Sequence, residues 1–273
     1  MLLPRLATAL VGIPLVLWMI HLGGLPFLLF TAALAFLACR EYALMLRAGG
    51  RGVQSWITTA GGGLLAIAVG LSGPVSTKSP APGVGLNHFA VTILILVCLL
   101  REVMRREHSL DRAALSLMGA LFIGWPLGHL ALLRELPPSG ETLTALLFAA
   151  VWMTDTAAYA AGKAFGRSRM APVISPKKSW EGAAAGLIAA VLTLWLGRKL
   201  FLADSLTPGL ALALGLLVGT LGQASDIAQS LVKRASGVKD SSSLLPGHGG
   251  IFDRMDSFLL LAPAFYYAIV LFG

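Results

Sequence analysis

The chain has 273 residues, of which 56% are hydrophobic and 12% charged, with a formal net charge of +8. A soluble domain carries roughly a quarter of its residues as charges, so this composition, with a mean hydropathy of +0.80, excludes an ordinary soluble fold and points to a bilayer. Cys39 and Cys98 lie in apolar runs with no Cys or His at metal-ligand spacing, which excludes a zinc site or a disulfide framework built on them.

Apolar runs follow one another at 6–21, 25–39, 54–71, 88–100, 113–133, 142–162, 182–203, 208–228 and 257–272. A bilayer accepts runs of about 20 apolar residues directly, so the expected fold is an all-α integral membrane protein, a polytopic bundle of about nine transmembrane helices. One membrane domain over 1–273 is expected, with 1–140 supplying N-terminal helices and 141–273 the helices and cytoplasmic polar loops that carry the chemistry. The first run follows Arg5 as a secretory leader would, yet no small-x-small site follows it and the next run begins at once, so it reads as a retained span. The run at 88–100 is short for a full crossing, and Pro14, Pro126 and Pro263 are expected to kink their helices.

Every second connection is basic: Arg40, Arg47 and Arg51; then Arg101, Arg105, Arg106 and Arg112; then Lys163, Arg167, Arg169, Lys177 and Lys178; then Lys233, Arg234, Lys239 and Arg254. With Arg5 these are all of the 21 basic residues except Lys78, Arg134, Arg198 and Lys199. Positive charge is retained on the cytoplasmic side. The N-terminus and the four basic connections should therefore face the cytoplasm, and the C-terminus should face out, across the cell's inner membrane. A face this positive attracts anionic headgroups or phosphorylated substrates. Setting topology explains the first two basic connections adequately and the last two less well.

The segment from Ser230 to Asp256, SLVKRASGVKDSSSLLPGHGGIFDRMD, holds no run long enough to span and reads as a structured loop or re-entrant element. Gly237, Gly247, Gly249 and Gly250, with Ser241 to Ser243, leave the backbone free to turn N–H groups toward an anion. Lys233, Arg234 and Lys239 add positive charge; Asp240, Asp253 and Asp256 add carboxylates, as a hard cation bridging phosphates would require. Asp253 and Asp256 share one face if the last helix reaches back to about Phe252. Asp226 and Asp155 lie in apolar surroundings, where a lone charge costs about 2.5–3.5 kcal/mol, so each needs a partner or a role. In a second polar cluster, GKAFGRSRMAPVISPKKSWEG, Lys177 and Lys178 precede Ser179, a candidate N-cap, with Glu181 in the following first turn. The lysines either set topology at a capped helix start or grip phosphate with the helix N-terminus. His248, between glycines, either donates to a phosphate or closes a turn. His21, His88, His108 and His129 read as structural, and Trp180 and Phe252 as interfacial or packing aromatics rather than base-stacking platforms.

Ser230, Lys233-Arg234, Lys239-Asp240, Pro246 to Gly250 and Asp253-Arg254-x-Asp256 together resemble the C-terminal signature of the phosphatidate cytidylyltransferases, or CDP-diacylglycerol synthases. DTAAYAAGKAFGR and ISPKKSWEG also look like that family's pattern, so the resemblance covers roughly Asp155 to Ser257, while the first 140 residues match only as apolar helices. Ser225, Ala157 and Ser242 stand where glycine is common in the family, small-for-small changes that leave the acids and cations untouched.

The resemblance implies transfer of a cytidylyl group from CTP to phosphatidic acid in the bilayer, giving CDP-diacylglycerol and pyrophosphate. It implies magnesium, with one or two cations held by Asp226, Asp253 and Asp256. Asp226, Asp253, Lys239 and His248 would be catalytic, and Lys177, Lys178, Ser179, Lys233, Arg234, Asp240, Arg254 and Asp155 would bind substrate. Membrane lipids and a second copy in a homodimer are the further partners implied; nucleic acid is not among them. A phosphate monoester with a second pKa near 6 is largely dianionic at pH 7 and needs no strong base. Two other classes stay open. A CTP-dependent lipid-alcohol kinase would need a base for its hydroxyl acceptor and would release CDP; a transporter would suit interrupted helices with buried acids.

Overall fold

The structure is a computed structural model that describes residues 3–73, 85–242, 244 and 249–273. Its helices are α1 (Leu3–Leu22), α2 (Gly24–Ala48), α3 (Ser55–Gly70), α4 (Leu86–Val103), α5 (Leu110–Arg134), α6 (Gly140–Phe165), α7 (Trp180–Phe201), α8 (Pro208–Leu217), α9 (Gln223–Ala235), α10 (Ile251–Arg254) and α11 (Phe258–Phe272). A short antiparallel hairpin of β1 (Arg169–Ala171) and β2 (Ser175–Ser179) interrupts them. Among the described residues six helices are long and apolar enough to cross a membrane, and three shorter apolar helices, Leu10–Leu22, Ser55–Gly70 and Phe258–Phe272, accompany them. The chain is the all-α polytopic membrane protein that its composition requires.

Helix starts follow local chemistry. Ser109, Ser179 and Thr207 each accept a hydrogen bond from the backbone N–H three residues on, and Pro208 occupies a first-turn position where its missing N–H does no harm. Pro14, Pro126 and Pro263 are accommodated inside α1, α5 and α11.

The chain forms two compact units. Residues 1–135 with 235–255 make the first, and residues 136–234 with 256–273 the second. In the first, α2, α3 and α5 pack through small residues: a Cβ on Gly124 would sit 2.8 Å from Gly62 Cα, and one on Gly119 would meet the Tyr42 ring at 2.6 Å. Apolar side chains do not favour one another over lipid tails, so close backbone approach of this kind is what binds helices in a bilayer. Cys39 and Cys98 are buried within α2 and α4. The outer face of α4, with Leu96, Leu99, Leu100 and Val103 exposed, is built to meet lipid. In the second unit α6 and α7 approach at Gly182, where a Cβ would lie 2.6 Å from Ala158 O, and α7 meets α8 where Gly215 faces Val191.

Two local features differ from the sequence reading. Helix α8 runs through a π-helical turn at Val218–Gly222 into α9, which ends only at Ala235, so Ser230 to Ala235 are helix rather than loop. The last helix begins at Phe258 instead of reaching back to Phe252, so Asp253 sits in the four-residue α10 and Asp256 lies past its end. The two acids therefore do not share one helical face.

Replacing Gly124 by valine should force α3 and α5 apart and cost about 1–3 kcal/mol or more, as overpacked interiors do. The expected outcome is a lower thermal midpoint in detergent, whereas Gly209→Ala, at a glycine with open space around it, should leave the midpoint unchanged.

Candidate active site

Within the second unit, the hairpin carries Lys177 and Lys178 on β2 and hands the chain to α7 through Ser179, whose hydroxyl accepts from Gly182 N at 3.2 Å. Glu181 in the first turn of α7 closes the hairpin, accepting from Ser168 N at 3.1 and 3.3 Å. Arg234 at the end of α9 donates through Nε to Ile174 O at 3.2 Å, and so pins the hairpin's turn. Lys178 Nζ reaches Asp226 Oδ2 at 2.6 Å and Gln223 O at 3.3 Å, while Ser230 Oγ donates to Asp226 Oδ1 at 3.3 Å. Lys178 and Asp226, with side chains 23% and 28% exposed, are paired and open to a ligand. They line a cleft of 260 Å³ together with Asp155, Tyr159, Lys177 and Ser179. Gln223 holds its position by donating from Nε2 to Gly219 O at 2.6 Å and to Ala183 O at 3.1 Å, which ties the π-helical turn to α7. Lys233 is half-buried in the last turn of α9.

Ser225, one of the three departures from the family pattern, is not a neutral replacement. Its buried hydroxyl donates to Asp256 O and accepts from Leu260 N at 3.1 Å, which joins α9 to the start of α11. Asp256 turns its own carboxylate onto Ser257 N at 2.8 Å.

The first unit holds the polar segment, and an acid that sequence reasoning passed over organises it. Glu41 on α2 is 4% exposed. It accepts from Ser242 Oγ at 2.7 Å, Ser241 Oγ at 3.0 Å, Phe252 N at 2.9 Å and Ile251 N at 3.1 Å. Asp253, equally buried, accepts on Oδ2 from Ser241 N at 2.8 Å, Ser241 Oγ at 2.9 Å and Gly250 N at 3.1 Å. The single hydroxyl proton of Ser241 can go to Glu41 or to Asp253 but not to both at once, so this hydroxyl links the two acids. Gly249 is in the left-handed region at φ 77°, and a Cβ on Gly250 would collide with the Glu41 carboxylate and the Ser241 hydroxyl, so both positions need glycine. Lys239, Asp240 and Arg254 are exposed in this segment. His248, with Pro246 and Gly247, lies outside the described residues.

The structure thus brings Asp155, Lys177, Lys178, Ser179 and Asp226 to one cleft, and gathers Asp253 with Glu41, Ser241 and Ser242 around a glycine-rich turn. Among the described residues no three His, Cys, Asp or Glu side chains cluster as a protein-only metal cage. Glu41 had a signal available: it continues the apolar run at 25–39, and the rule that flags intramembrane acids applies once α2 is extended to Ala48.

The fold is that of a polytopic helical membrane protein, and its cleft sets a lysine–aspartate pair beside a capped helix start. The chain matches the Cytidylyltransferase family over residues 3–272, and it belongs to that family. It is 33% identical over 297 residues to a phosphatidate cytidylyltransferase of Synechocystis sp., covering 98% of this chain and 96% of that protein. Identity to the phosphatidate cytidylyltransferase of Bacillus subtilis is 29% over 270 residues, with 98% of each covered, and to that of Brucella suis 43% over 150 residues, with 54% of each covered.

Glu41→Gln should leave N–H and O–H donors facing an amide that accepts on one side only, a loss of about 1–3 kcal/mol for each buried donor left unmade. A lower thermal midpoint and faster hydrogen exchange confined to peptides from 241–252 are expected; unchanged exchange there would remove Glu41 from its organising role.

Proposed function

We propose that the chain transfers the cytidylyl group of CTP to phosphatidic acid drawn from the cytoplasmic leaflet, forming CDP-diacylglycerol and pyrophosphate. The observation that carries this reading is the Lys178–Asp226 pair, 2.6 Å apart in a cleft with Lys177, Ser179 and Asp155, in a chain whose relatives are phosphatidate cytidylyltransferases. An oxygen of the phosphatidate dianion attacks the α-phosphorus of CTP, and the bond from that phosphorus to the β-phosphate bridging oxygen breaks as pyrophosphate leaves. No proton must be removed from the nucleophile, so positioning and charge neutralisation carry the catalysis.

Two polyanions meet in this reaction, and Lys177 and Lys178 screen their repulsion. Lys178 is held by Asp226 before substrate arrives and turns its ammonium to a phosphate oxygen afterwards. The N-terminus of α7, capped by Ser179, adds its dipole at the same cleft. Magnesium suits this donor set: Asp226 offers a partly exposed hard oxygen, and such an ion takes one or two carboxylates and completes its shell with substrate phosphates and water. When bound it supplies charge neutralisation for the departing pyrophosphate. In the first unit, Asp253 keeps the glycine-rich turn in shape. The positive-inside distribution supports a cytoplasmic N-terminus and cytoplasmic basic connections. The resemblance further supports a homodimer.

Purified protein given labelled CTP and phosphatidic acid should yield CDP-diacylglycerol and pyrophosphate in equal amounts. Release of CDP with phosphorylation of a neutral lipid alcohol would overturn the assignment. Asp226→Asn should abolish magnesium-dependent turnover with an unchanged thermal midpoint, whereas Asp253→Asn should lower the midpoint as well, because it breaks the cap on Ser241 and Gly250. Cysteines placed at the exposed positions Ser168 and Arg106 should react in intact cells only with reagents that reach the cytoplasm; labelling from outside would reverse the orientation.

A further inference from the structure

The sequence asks nothing of the first two basic connections beyond setting topology. In the fold they converge. Arg47 and Arg51 from the α2–α3 connection, with Arg101, Arg105 and Arg112 from around the α4–α5 connection and Trp56, line a cleft of 430 Å³ in the first unit. Among the described residues no Asp or Glu lines it. Topology needs positive charge but not its convergence, and five guanidiniums around one cleft repel one another unless an anion joins them.

Their partners leave most of that charge unspent. Glu102, 7% exposed, is gripped by Arg112 Nε and Nη2 at 2.7 Å each and by Gln54 Nε2 at 2.6 Å. It offsets one of the five charges and fixes that guanidinium against the wall. Among the described residues Arg47 Nη1 reaches only the neutral Ser55 Oγ, at 3.5 Å, and Arg51 Nε donates to Ala235 O at 3.0 Å, at the end of α9. Neither the Arg101 nor the Arg105 guanidinium meets a hydrogen-bonding or ion-pairing partner among the described residues. Asp111 lines an adjoining depression that shares Arg51 and Arg112. Arg101 and Arg105 follow directly on the outer face of α4, where Leu96, Leu99, Leu100 and Val103 are exposed, and Trp56 stands 78% exposed as interfacial tryptophans do.

The geometry points to an accessory site for the headgroup of an anionic phospholipid, with phosphate oxygens among Arg47, Arg101 and Arg105 and the acyl chains along the outer face of α4. Guanidinium forks match phosphate oxygens in pairs. A soluble phosphate would use the same cations but has no use for the apolar strip beside them. The site shares no residue with the cleft proposed for cytidylyl transfer. Through Arg51 it touches the first residue of the segment that Glu41 and Asp253 organise.

The test uses full-length protein released from detergent into a native mass spectrometer after incubation with phosphatidylglycerol, a phosphodiester that the proposed reaction cannot consume. Wild type should retain phosphatidylglycerol in preference to phosphatidylcholine, and inorganic phosphate at matched concentration should not displace it. Removing Arg101 and Arg105 by alanine substitution should reduce retention by about fivefold for each arginine, the usual worth of a basic side chain at an anionic surface. Arg106→Ala, which takes the same charge from the same connection but not from the cleft, should change nothing. Should the double variant fail to fold, the single Arg105→Gln at an exposed, unpaired residue gives the same readout. Three results would overturn the proposal: wild-type retention by a folded Arg101/Arg105 variant, an equal loss with Arg106→Ala, or displacement by inorganic phosphate. Because the probe is not a substrate, these outcomes are independent of whether cytidylyl transfer is the reaction.

Discussion

A carboxylate inside an apolar helix must be given donors, and Glu41 obtains four of them from residues about 200 positions further along the chain. Left unpaired, such a buried charge costs several kcal/mol. Two of its donors are the first backbone N–H groups of α10, which no intrahelical bond could satisfy, and two are serine hydroxyls, of which that of Ser241 is shared with Asp253. The need of the acid and the need of the short helix are met by the same contacts. This explains why residues 235–255 belong to the same unit as the N-terminal helices.

The second unit solves a different problem, which is to present charge from a helix wall without leaving it unpaired. The π-helical turn at Val218–Gly222 comes just before Gln223 and Asp226, and such turns commonly reset a helix at a functional position. Gln223 secures the turn to α7, and Asp226 then meets Lys178 from the hairpin. Close approach of α6 and α7 at Gly162 and Gly182 keeps the hairpin's root rigid, so that the ion pair sits on a fixed frame.

Arg134, Arg198 and Lys199, which stand apart from the four basic connections, act locally. Arg134 donates to Ile20 O and to His21 O, closing the end of α1, and Arg198 donates to Leu206 O at 2.8 Å. Lys199 lies 5.8 Å from the centre of the Trp195 ring. Such residues satisfy carbonyls at helix ends or cover aromatic faces, which is consistent with a topology signal carried by the remaining basic residues.

Composition and run length alone determined that this is a polytopic helical membrane protein, because the bilayer admits few other backbones and the requirement is local. The N-cap at Ser179, the first-turn Glu181 and, as separate candidates, Lys178 and Asp226 were legible too, since caps and intramembrane acids announce themselves within a few residues; that Lys178 and Asp226 pair was not. What the sequence could not set was partnership across long separations. Glu41 was hidden because α2 runs nine residues past the apolar stretch that marks it. The three-residue spacing of Asp253 and Asp256 suggested a shared helical face, but the helix breaks after Arg254. Ser225 and Ser242 looked like small replacements for glycine until their hydroxyls were placed, and two basic connections became one cleft only through packing. Local pattern fixes where helices form and which residues are charged; which charges face each other depends on how backbones approach at positions such as Gly62 and Gly124. Only the tertiary structure decides that, because close packing between distant segments has no local sequence signature.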